Sequence, residues 1–499
     1  MRFLIIFIFT ISIFGSTLNL ATSTNPARLN PLIATDSSSS SISSFIFSSL
    51  LKYDENATNI IGDLASSYRF ITPTKLEFNL RRDVLWHDGA PFSSKDVVFT
   101  YDLIKSPQIA TPYSSDFRVV KSVVADGDYR VIVEYEKPYF KALNIWMMGI
   151  VPEHILKDEK NIMGSAFNTN PIGTGAYKLE KLEFSKSIKL SAFDRYYEGK
   201  AGIDTINFIV LPDPLTRFLM LKSNKIDISS LEPMQYDRQL DSEFRKNYKS
   251  LELPSHSYTY LGFNLKNKKF SDPRVREALS LAIDRDEIID ILFLGHGRVC
   301  TGPFLPGSNG FNSDIKPPKK DIKRAKKLLL EAGYSDKNRL KFEIATSNSN
   351  SIRPYMAEII QKQLSHIGVE VSIKTLEWQA FLNTIVMPRN FDSVLLGWSL
   401  SVMPDPYSIW HSDSDRAGGF NFIGYHSSRV DALIEQMENL SDQHKIASLQ
   451  REIFAEIAKD NPYLFLVIPN DINVYSKDIE GIKPSINGIW NDYIKWKKR

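Results

Sequence analysis

Apolar residues alternate with polar ones in some segments and recur every three to four residues in others, which predicts a mixed α/β protein. Leu76 to Leu80 and Val131 to Tyr135 alternate as strands. The spacing of Ile42, Phe45, Ile46, Leu50 and Leu51 predicts a helix that begins with the serine run 37–41. Further strands are predicted near residue 18 and at 188–193, 206–211, 258–265 and 462–468, with helices at 215–224, 321–332 and 450–458.

Capping residues predict where two helices begin. Ser93 precedes a helix over Val97 to Ile104, and its hydroxyl is a suitable N-cap. Asp272 and Pro273 supply an N-cap and a first helical residue for the next apolar helical face. Farther on, residues 340–346, 356–367 and 369–375 read strand, helix, strand. This βαβ order predicts a parallel sheet with helices packed on its faces.

The N-terminal segment has the pattern of a secretory signal peptide. Arg2 precedes the apolar run Phe3 to Phe14, and the small residues Gly15 and Ser16 follow it. We expect cleavage after Ser16, with a buried first strand or helix as the alternative. Because no cysteine follows the apolar run, we expect an exported, freely soluble periplasmic protein without a lipid anchor.

Composition narrows the class of protein. The chain has 499 residues, and 61 Lys and Arg against 58 Asp and Glu give a net charge of +3. That balance lacks the concentrated positive field that nucleic acid binding requires. The length predicts about two to four domains with apolar cores of their own. The single Cys300 excludes an internal disulfide.

Catalytic and metal-binding motifs are missing from the sequence. It has no phosphate-binding glycine loop ending in Lys-Ser/Thr, no His-Glu-x-x-His, no Gly-x-Ser-x-Gly and no paired-cysteine motif. Gly173 and Gly175 suit a tight turn better than a dinucleotide-binding loop. Cys300 suits a small packing residue better than a catalytic nucleophile. We therefore expect a protein that is not an enzyme and has neither a cofactor nor a resident metal.

Aromatic residues make up 12% of the chain and are concentrated between Trp398 and Tyr425. Asp405 and three other polar residues interrupt the rings there, which differs from the pattern of a core helix or strand. Aromatic walls with a few polar anchors suit a cleft for a small molecule or a peptide. The candidate ligand-binding residues are Trp398, Asp405, Tyr407, Tyr258, Tyr260, Asn264 and Trp410.

Several segments resemble the bacterial extracellular solute-binding proteins of family 5, the dipeptide, oligopeptide and nickel class that serves ABC importers. The resemblance extends over roughly Thr17 to Trp496. The matching segments are LNPL at 29–32, LEFNLRRDVLWHDGAPFSSKDVVFTY at 76–101, NPIGTGAY at 170–177, DPRVREAL at 272–279, AKKLLLEAGY at 325–334, LGW at 396–398 and GFNFIGY at 419–425.

The resemblance implies an α/β fold: a two-lobe periplasmic binding protein of type II, cluster C-like, with an extra subdomain in the first lobe. We expect the signal peptide at 1–16 and the first lobe at 17–44, 171–260 and 468–499. The extra subdomain is expected at 45–170 and the second lobe at 261–467. The resemblance also implies a monomer that closes on a peptide or similar small polar solute and presents it to an ABC-type inner-membrane permease.

In peptide-binding members of the family, an aspartate three residues after the cleft tryptophan pairs with the peptide amine. If Trp398 is that tryptophan, Ser401 stands at the amine-binding position, and the nearest acid is Asp405. A first alternative within the fold is a nickel chelate held with help from His256, His411 or His426. A second is a periplasmic hydrolase or chaperone-like factor, for which the sequence offers no nucleophile and base pair.

Overall fold

The structure is a computed structural model that describes residues 15–56, 59–400, 405–416, 418–440, 442–485 and 488–499. Its strands are Thr17–Thr22 (β1), Leu51–Tyr53 (β2), Ile60–Gly62 (β3), Ala65–Thr72 (β4), Lys75–Leu80 (β5), Val120–Ala125 (β6), Arg130–Tyr135 (β7), Tyr177–Glu183 (β8), Ser187–Ala192 (β9), Thr205–Val210 (β10), Ile228–Leu231 (β11), Tyr248–Pro254 (β12), Ser257–Phe263 (β13), Gly297–Val299 (β14), Lys341–Ser347 (β15), Glu370–Leu376 (β16), Ser393–Ser399 (β17), Tyr463–Ser476 (β18), Ile479–Glu480 (β19) and Lys497–Lys498 (β20).

The α-helices are Ser37–Ile46 (α1), Ser94–Lys105 (α2), Glu153–Leu156 (α3), Pro214–Lys222 (α4), Pro233–Arg238 (α5), Ser242–Asn247 (α6), Lys268–Ser271 (α7), Pro273–Ala282 (α8), Arg285–Ile288 (α9), Ile322–Glu331 (α10), Ile352–Ser365 (α11), Trp378–Phe381 (α12), Tyr407–Trp410 (α13), Ser428–Glu438 (α14) and Gln443–Asp460 (α15). Single π-helical turns at Ile289–Phe293 and Leu382–Val386 continue α9 and α12. No helix of the described residues has both the length and the apolar character that crossing a membrane requires.

One large mixed sheet organises the molecule around the long strand β18. The sheet runs in the order β16-β15-β17-β13-β18-β11-β1-β10-β9-β8, and β12 and β14 also pair with β18. The first part of β18 pairs with β13, where Val467 lies opposite Thr259. Its last part pairs with β11, where Ile472 lies opposite Leu231. β18 therefore passes from one half of the sheet to the other.

Local sequence signals account for several element boundaries. The Ser93 hydroxyl accepts the Lys95 N–H and Asp96 accepts the Ser93 N–H, a capping box at the start of α2. Asp272 caps α8 by accepting the Arg274 N–H. Both predicted helix starts are thus confirmed.

The structure corrects the predicted end of the first helix. α1 begins in the serine run, as predicted, but ends at Ile46. Leu50 and Leu51 are buried beyond the helix, and Leu51 begins β2. Their apolar spacing reflects burial and not a continuing helix.

The predicted βαβ unit is confirmed. β15 and β16 are parallel, with Lys341 opposite Glu370, and α11 connects them. A separate antiparallel sheet, in the order β4-β5-β7-β6, packs against α2. Its strands all lie within residues 45–170, the range expected for the extra subdomain. A distinct buried apolar cluster lies wholly within residues 261–467.

Candidate functional site

A cavity of about 380 Å³ lies where residues 23–38 face the adjacent ends of β13 and β17. Its volume is within the range of small-molecule sites. Hydroxyl groups supply much of its wall, because eight of its lining residues are serine or threonine. The lining residues are Ser23, Thr24, Asp36, Ser37, Ser38, Ser255, Ser257, Ser349, Arg353, Trp378, Leu396, Gly397, Trp398 and Ser399.

The cavity lining carries one cation, Arg353, and one acid, Asp36. Arg353 lies in the first turn of α11, and its side chain is half-buried because it faces the cavity. Burial lowers the pKa of its guanidinium to about 10, against an opposing attraction from Tyr260. Its buried Nε has no hydrogen-bond partner among the described residues. An anionic group would satisfy this donor with a charge-assisted hydrogen bond.

A second groove, of about 700 Å³, lies beside α1 and is larger. Its cation Lys52 is already paired, at 3.1 Å from Asp63 and 2.7 Å from Glu198. The smaller cavity is therefore the better candidate for an anionic ligand, since Arg353 retains an unfilled donor.

Trp398 forms part of the cavity wall and is half-buried. Its indole N–H donates to the Tyr463 hydroxyl at 3.2 Å. Its ring stacks on Phe422, with a centroid separation of 5.4 Å and an interplanar angle of 26°. These contacts fix the orientation of a ring that borders the cavity, and its contact with a ligand stays a prediction.

Tyr258, Tyr260 and Trp410 lie beneath this wall and do not line the cavity. All three side chains are almost fully buried. Tyr260 stacks on Tyr463 at a centroid separation of 3.8 Å, and Trp410 packs against the same ring at 4.7 Å. Burial raises the pKa of the Tyr258 and Tyr260 hydroxyls well above the ordinary range. Their ligand contacts stay a prediction, while their packing supports Trp398.

Asp405 is engaged by a cation of the protein itself. Its Oδ2 lies 3.2 Å from Lys141 Nζ, and its Oδ1 accepts the Tyr407 N–H at 2.9 Å. The ring of Tyr407 lies under the Arg118 guanidinium, 3.5 Å from its central carbon. Ser401, the expected amine-binding position, lies outside the described residues.

Asn264 lies at the opposite end of β13 from Tyr258. Its Nδ2 donates to the main-chain oxygens of Arg389 and Phe391, at 3.4 and 3.0 Å. Its Oδ1 accepts the Lys266 N–H at 3.2 Å. These bonds fix the turn after β13 and tie it to residues 389–391. The structure does not bring Asn264 to the cavity.

The histidines considered for a nickel chelate are dispersed. His411 is buried, stacks on Tyr407 and accepts the Asp413 N–H. His426 pairs with Asp415 at 2.8 Å. Within the described residues, no group of three His, Cys, Asp or Glu side chains has an arrangement that could hold a metal ion.

Sequence reasoning missed Arg353 and Lys141. A signal for Arg353 existed, because the polar run Ser347 to Ser351 follows the carboxyl end of the parallel strand β15. Ligands bind at the carboxyl ends of strands in open α/β sheets, and Arg353 is the first cation after that run. Lys141 gave no such signal, because it meets Asp405 only through the tertiary fold.

Comparisons with known proteins bear on the family and the fold of this chain. The family model described as "Bacterial extracellular solute-binding proteins, family 5 Middle" matches residues 59–420. The oligopeptide-binding protein AppA of Bacillus subtilis is 32% identical over 488 residues, which cover 94% of this chain and 89% of AppA. The AppA structure in complex with a nonapeptide superposes with a TM-score of 0.91 at 31% identity, covering 97% of this chain and 99% of that one.

Two further solved structures are similar. NikZ from Campylobacter jejuni in complex with Ni(L-His) has a TM-score of 0.88 at 29% identity and covers 97% and 99% of the two chains. DppA from Helicobacter pylori in complex with the peptide STSA has a TM-score of 0.87 at 25% identity and covers 97% and 98%. The α/β fold of a periplasmic binding protein expected from the sequence is confirmed. The chain belongs to the bacterial extracellular solute-binding proteins of family 5.

Proposed function

We propose that this protein captures peptides, or a similar small polar solute, in its hydroxyl-lined cavity and delivers them to the permease of an ABC importer. The observation that carries this proposal is Arg353, whose buried Nε has no acceptor among the described residues. A terminal carboxylate would supply that acceptor, and the serine hydroxyls would bond main-chain groups. The peptides bound to the related AppA and DppA support this class of solute.

The cavity would lie between two lobes. The first lobe would comprise residues 17–44, 171–260 and 468–499, with 45–170 as its extra subdomain, and 261–467 would form the second. The change of partners along β18 and the separate apolar cluster within 261–467 support this division. A solute that contacts both lobes would stabilise the closed state by its differential affinity for that state.

The protein would act by binding alone, as an exported periplasmic monomer. Trp398 would stack on the solute, and Tyr260 would support that ring from below. Tyr258 and Trp410 pack behind it, against Tyr260 and Tyr463. No chemical step is assigned to the chain, so the permease would receive the solute unchanged.

A nickel chelate is the second candidate solute. Arg353 would pair as well with the carboxylate of a metal-bound amino acid, and the similarity to NikZ in complex with Ni(L-His) favours this reading. In that case the small molecule, and not the protein, would supply most of the metal ligands.

Analysis of solute released from protein purified without refolding would separate these candidates. Mass spectrometry is expected to find peptides or another carboxylate solute, and metal analysis is expected to find no stoichiometric nickel. Stoichiometric nickel together with a free amino acid would instead establish the chelate. Peptides cleaved on incubation with the protein would contradict action by binding alone.

A matched pair of variants tests the role of Arg353. The identified solute should bind Arg353→Gln about tenfold or more weakly, a loss of about 1.4 kcal/mol in binding free energy. Arg339→Gln is the control, because Arg339 is exposed and pairs with Glu370 at 3.4 Å. Isothermal titration should give the control the wild-type affinity. Equal affinity in both variants would place the site elsewhere.

A further inference from the structure

Cations of the proposed extra subdomain contact acids of the proposed second lobe. Arg118 pairs with Glu438, the last residue of α14. Lys141 Nζ lies 3.2 Å from Asp405 Oδ2. The guanidinium of Arg118 also lies over the ring of Tyr407, with its central carbon 3.5 Å from the ring centroid, as in a cation–π contact. Each of these contacts crosses the proposed lobe boundary.

The acids are buried at this contact. The side chain of Glu438 is 3% exposed and that of Asp405 is 4% exposed. The second oxygen of Glu438 faces a further cation of the same subdomain, Lys137, whose Nζ lies 3.9 Å away. A carboxylate that is removed from water needs such partners, and it would return to water if the lobes separated. Closure of the lobes therefore exchanges the hydration of Glu438 for ion pairs with the subdomain.

The two principal cations are held in place from within their own subdomain. Lys141 Nζ donates to Asp116 Oδ1 at 2.8 Å, and Arg118 Nη1 donates to the main-chain oxygen of Ser115 at 2.6 Å. Groups that are ordered before they meet lose little side-chain entropy when they pair. Good geometry of this kind is what allows a buried ion pair to offset its desolvation cost. The contact is therefore suited to stabilise the arrangement in which it forms.

These residues stand apart from the hydroxyl-lined cavity. The charged residues of the cavity wall are Arg353 and Asp36, and none of the contact residues lines it. A solute in the cavity would therefore not touch the contact. Any influence of the contact on the solute would act through the position of the second lobe.

We propose that Arg118, Lys141, Asp405, Tyr407 and Glu438 form a latch that stabilises the closed arrangement of the lobes without contacting the solute. This inference rests on the proposed function, namely on the lobe division and on closure around the solute. A solute that binds tightly only to the closed state has an apparent affinity that scales with the fraction of closed protein. The latch should therefore strengthen the binding of every solute by the same factor.

Spin labels test the latch in protein that has been freed of solute by unfolding and refolding. Lys95→Cys and Lys445→Cys place one label on the extra subdomain and one on the second lobe, both at exposed positions. The native Cys300 is buried and should not be labelled. Pulsed EPR should find a population at the closed separation, and Glu438→Gln should lower the ratio of closed to open protein about tenfold. Solute-free protein that is open throughout, or equal distributions with and without Glu438→Gln, would overturn the latch.

A control and a second variant separate the latch from a general loss of structure. Arg429→Gln removes an exposed ion pair between α14 and Glu452 inside the second lobe, and it should leave the distribution unchanged. Arg118→Gln should act like Glu438→Gln, and the double variant should lose little more than either one, because both remove the same pair. If Glu438→Gln does not fold, Arg118→Gln provides the measurement, since that side chain is 22% exposed. Additive losses would overturn the latch.

A binding comparison tests whether the latch acts on all solutes alike. The probe is a mixture of synthetic peptides up to the length of the nonapeptide bound to AppA, and retained peptides are quantified by mass spectrometry. Glu438→Gln should retain every peptide more weakly by a common factor of about ten, with the order of preference unchanged. A changed order of preference, or wild-type retention, would overturn the latch. Retention of no peptide by the wild type would contradict the peptide proposal, and the EPR measurement would then decide the latch by itself.

Discussion

The main chain of Gly397 lies directly against the guanidinium of Arg353. A Cβ atom at residue 397 would stand 2.5 Å from Arg353 Nη2 and 2.9 Å from the main-chain oxygen of Tyr258. No real side chain fits that space without displacing one of these neighbours. Because residue 397 has no side chain, Arg353 has room to reach the cavity. Gly397 and Trp398, both from β17, form part of the cavity wall.

Gly397→Ala should affect stability and binding together. The added methyl group overpacks the strand, which costs about 1 to 3 kcal/mol of unfolding free energy. Displacement of Arg353 should also weaken the solute about tenfold. Urea unfolding and isothermal titration measure the two effects. Ser399→Ala, on the exposed end of the same strand, should change the unfolding free energy by no more than about 0.5 kcal/mol. Wild-type affinity in Gly397→Ala would show that Arg353 does not contact the solute.

Arg353 and Arg285 offer a contrast between two desolvated guanidiniums, of which Arg285 is buried and Arg353 half-buried. Desolvation lowers the pKa of each to about 10. Arg285, however, donates to the main-chain oxygen of Phe465 at 2.7 Å and to the Ser280 hydroxyl at 3.0 Å. Arg353 has an unfilled Nε donor. The hydrogen bonds of Arg285 give it a structural role. Arg353 lacks such a bond at Nε, so the cost of removing this group from water is not fully offset in the solute-free protein.

Arg353→Met should therefore not destabilise the solute-free protein. We expect its unfolding free energy to equal or exceed that of the wild type by about 1 kcal/mol, because an incompletely paired buried charge is removed. Arg285→Met should lose about 3 kcal/mol or more, since it strands several buried acceptors at once. Chemical denaturation of solute-free protein measures both. A large loss in Arg353→Met would indicate a structural role for that cation.

Trp398→Ala should combine a moderate loss of stability with a loss of affinity. Because the ring is half-buried, removing it should cost about 1 to 3 kcal/mol, less than the 3 to 5 kcal/mol typical of a fully buried tryptophan. Trp410→Ala is the comparison variant and should lose about 3 to 5 kcal/mol, since Trp410 is 1% exposed. Affinity in Trp398→Ala should fall about tenfold. Equal stability losses in the two variants would mark Trp398 as a core residue.

Local features of the fold were predictable from the sequence. The caps at Ser93 and Asp272 need only neighbouring residues, and the strand-helix-strand order of β15, α11 and β16 follows from apolar periodicity. The end of α1 was not predictable, because Leu50 and Leu51 continue a helical spacing while tertiary burial places them beyond the helix.

The site was predictable only in part, for a similar reason. Trp398 could be placed at a strand end that faces a loop. Alternation along β13 groups Tyr258 with Tyr260 on one face, but it does not say whether that face meets the cavity or the core. The pairing of Asp405 with Lys141, 264 residues away, depends on how two distant segments pack. A long-range ion pair of this kind has no local sequence signature.

His296 bridges two acids beside the point where β18 passes from one half of the sheet to the other. This bridge makes the unfolding free energy depend on pH. Its Nδ1 lies 2.9 Å from Glu252 Oε1 of β12, and its Nε2 lies 3.1 Å from Asp237 Oδ1 of α5. The edge of the Tyr236 ring also packs against the imidazole, and Asn470 of β18 donates to Glu252 at 2.6 Å. Only the protonated imidazolium donates to both carboxylates at once.

Burial alone would lower the pKa of His296, but the hydrogen bonds to Glu252 and Asp237 outweigh it and raise the pKa above 6.5. A pKa raised in the folded protein means that the bridge contributes fully below pH 6.5 and is lost as the pH rises through the raised value. At the acid end, the pKa of Glu252 is lowered: burial alone would raise it, but the bond to His296 outweighs that effect. Its contribution is therefore present above about pH 4.5 and lost only as the pH falls through the lowered value.

His296→Gln should therefore be less stable than the wild type near pH 6 and should approach it near pH 8.5. The difference near pH 6 is expected to be about 0.5 to 1 kcal/mol, a value reduced by solvent screening at a partly exposed site, and added salt should diminish it. Urea unfolding over this pH range measures it. Glu252→Gln should show a smaller pH dependence than the wild type, because one of the two acceptors is then neutral. Parallel stability curves for wild type and His296→Gln from pH 6 to 8.5 would contradict the bridge.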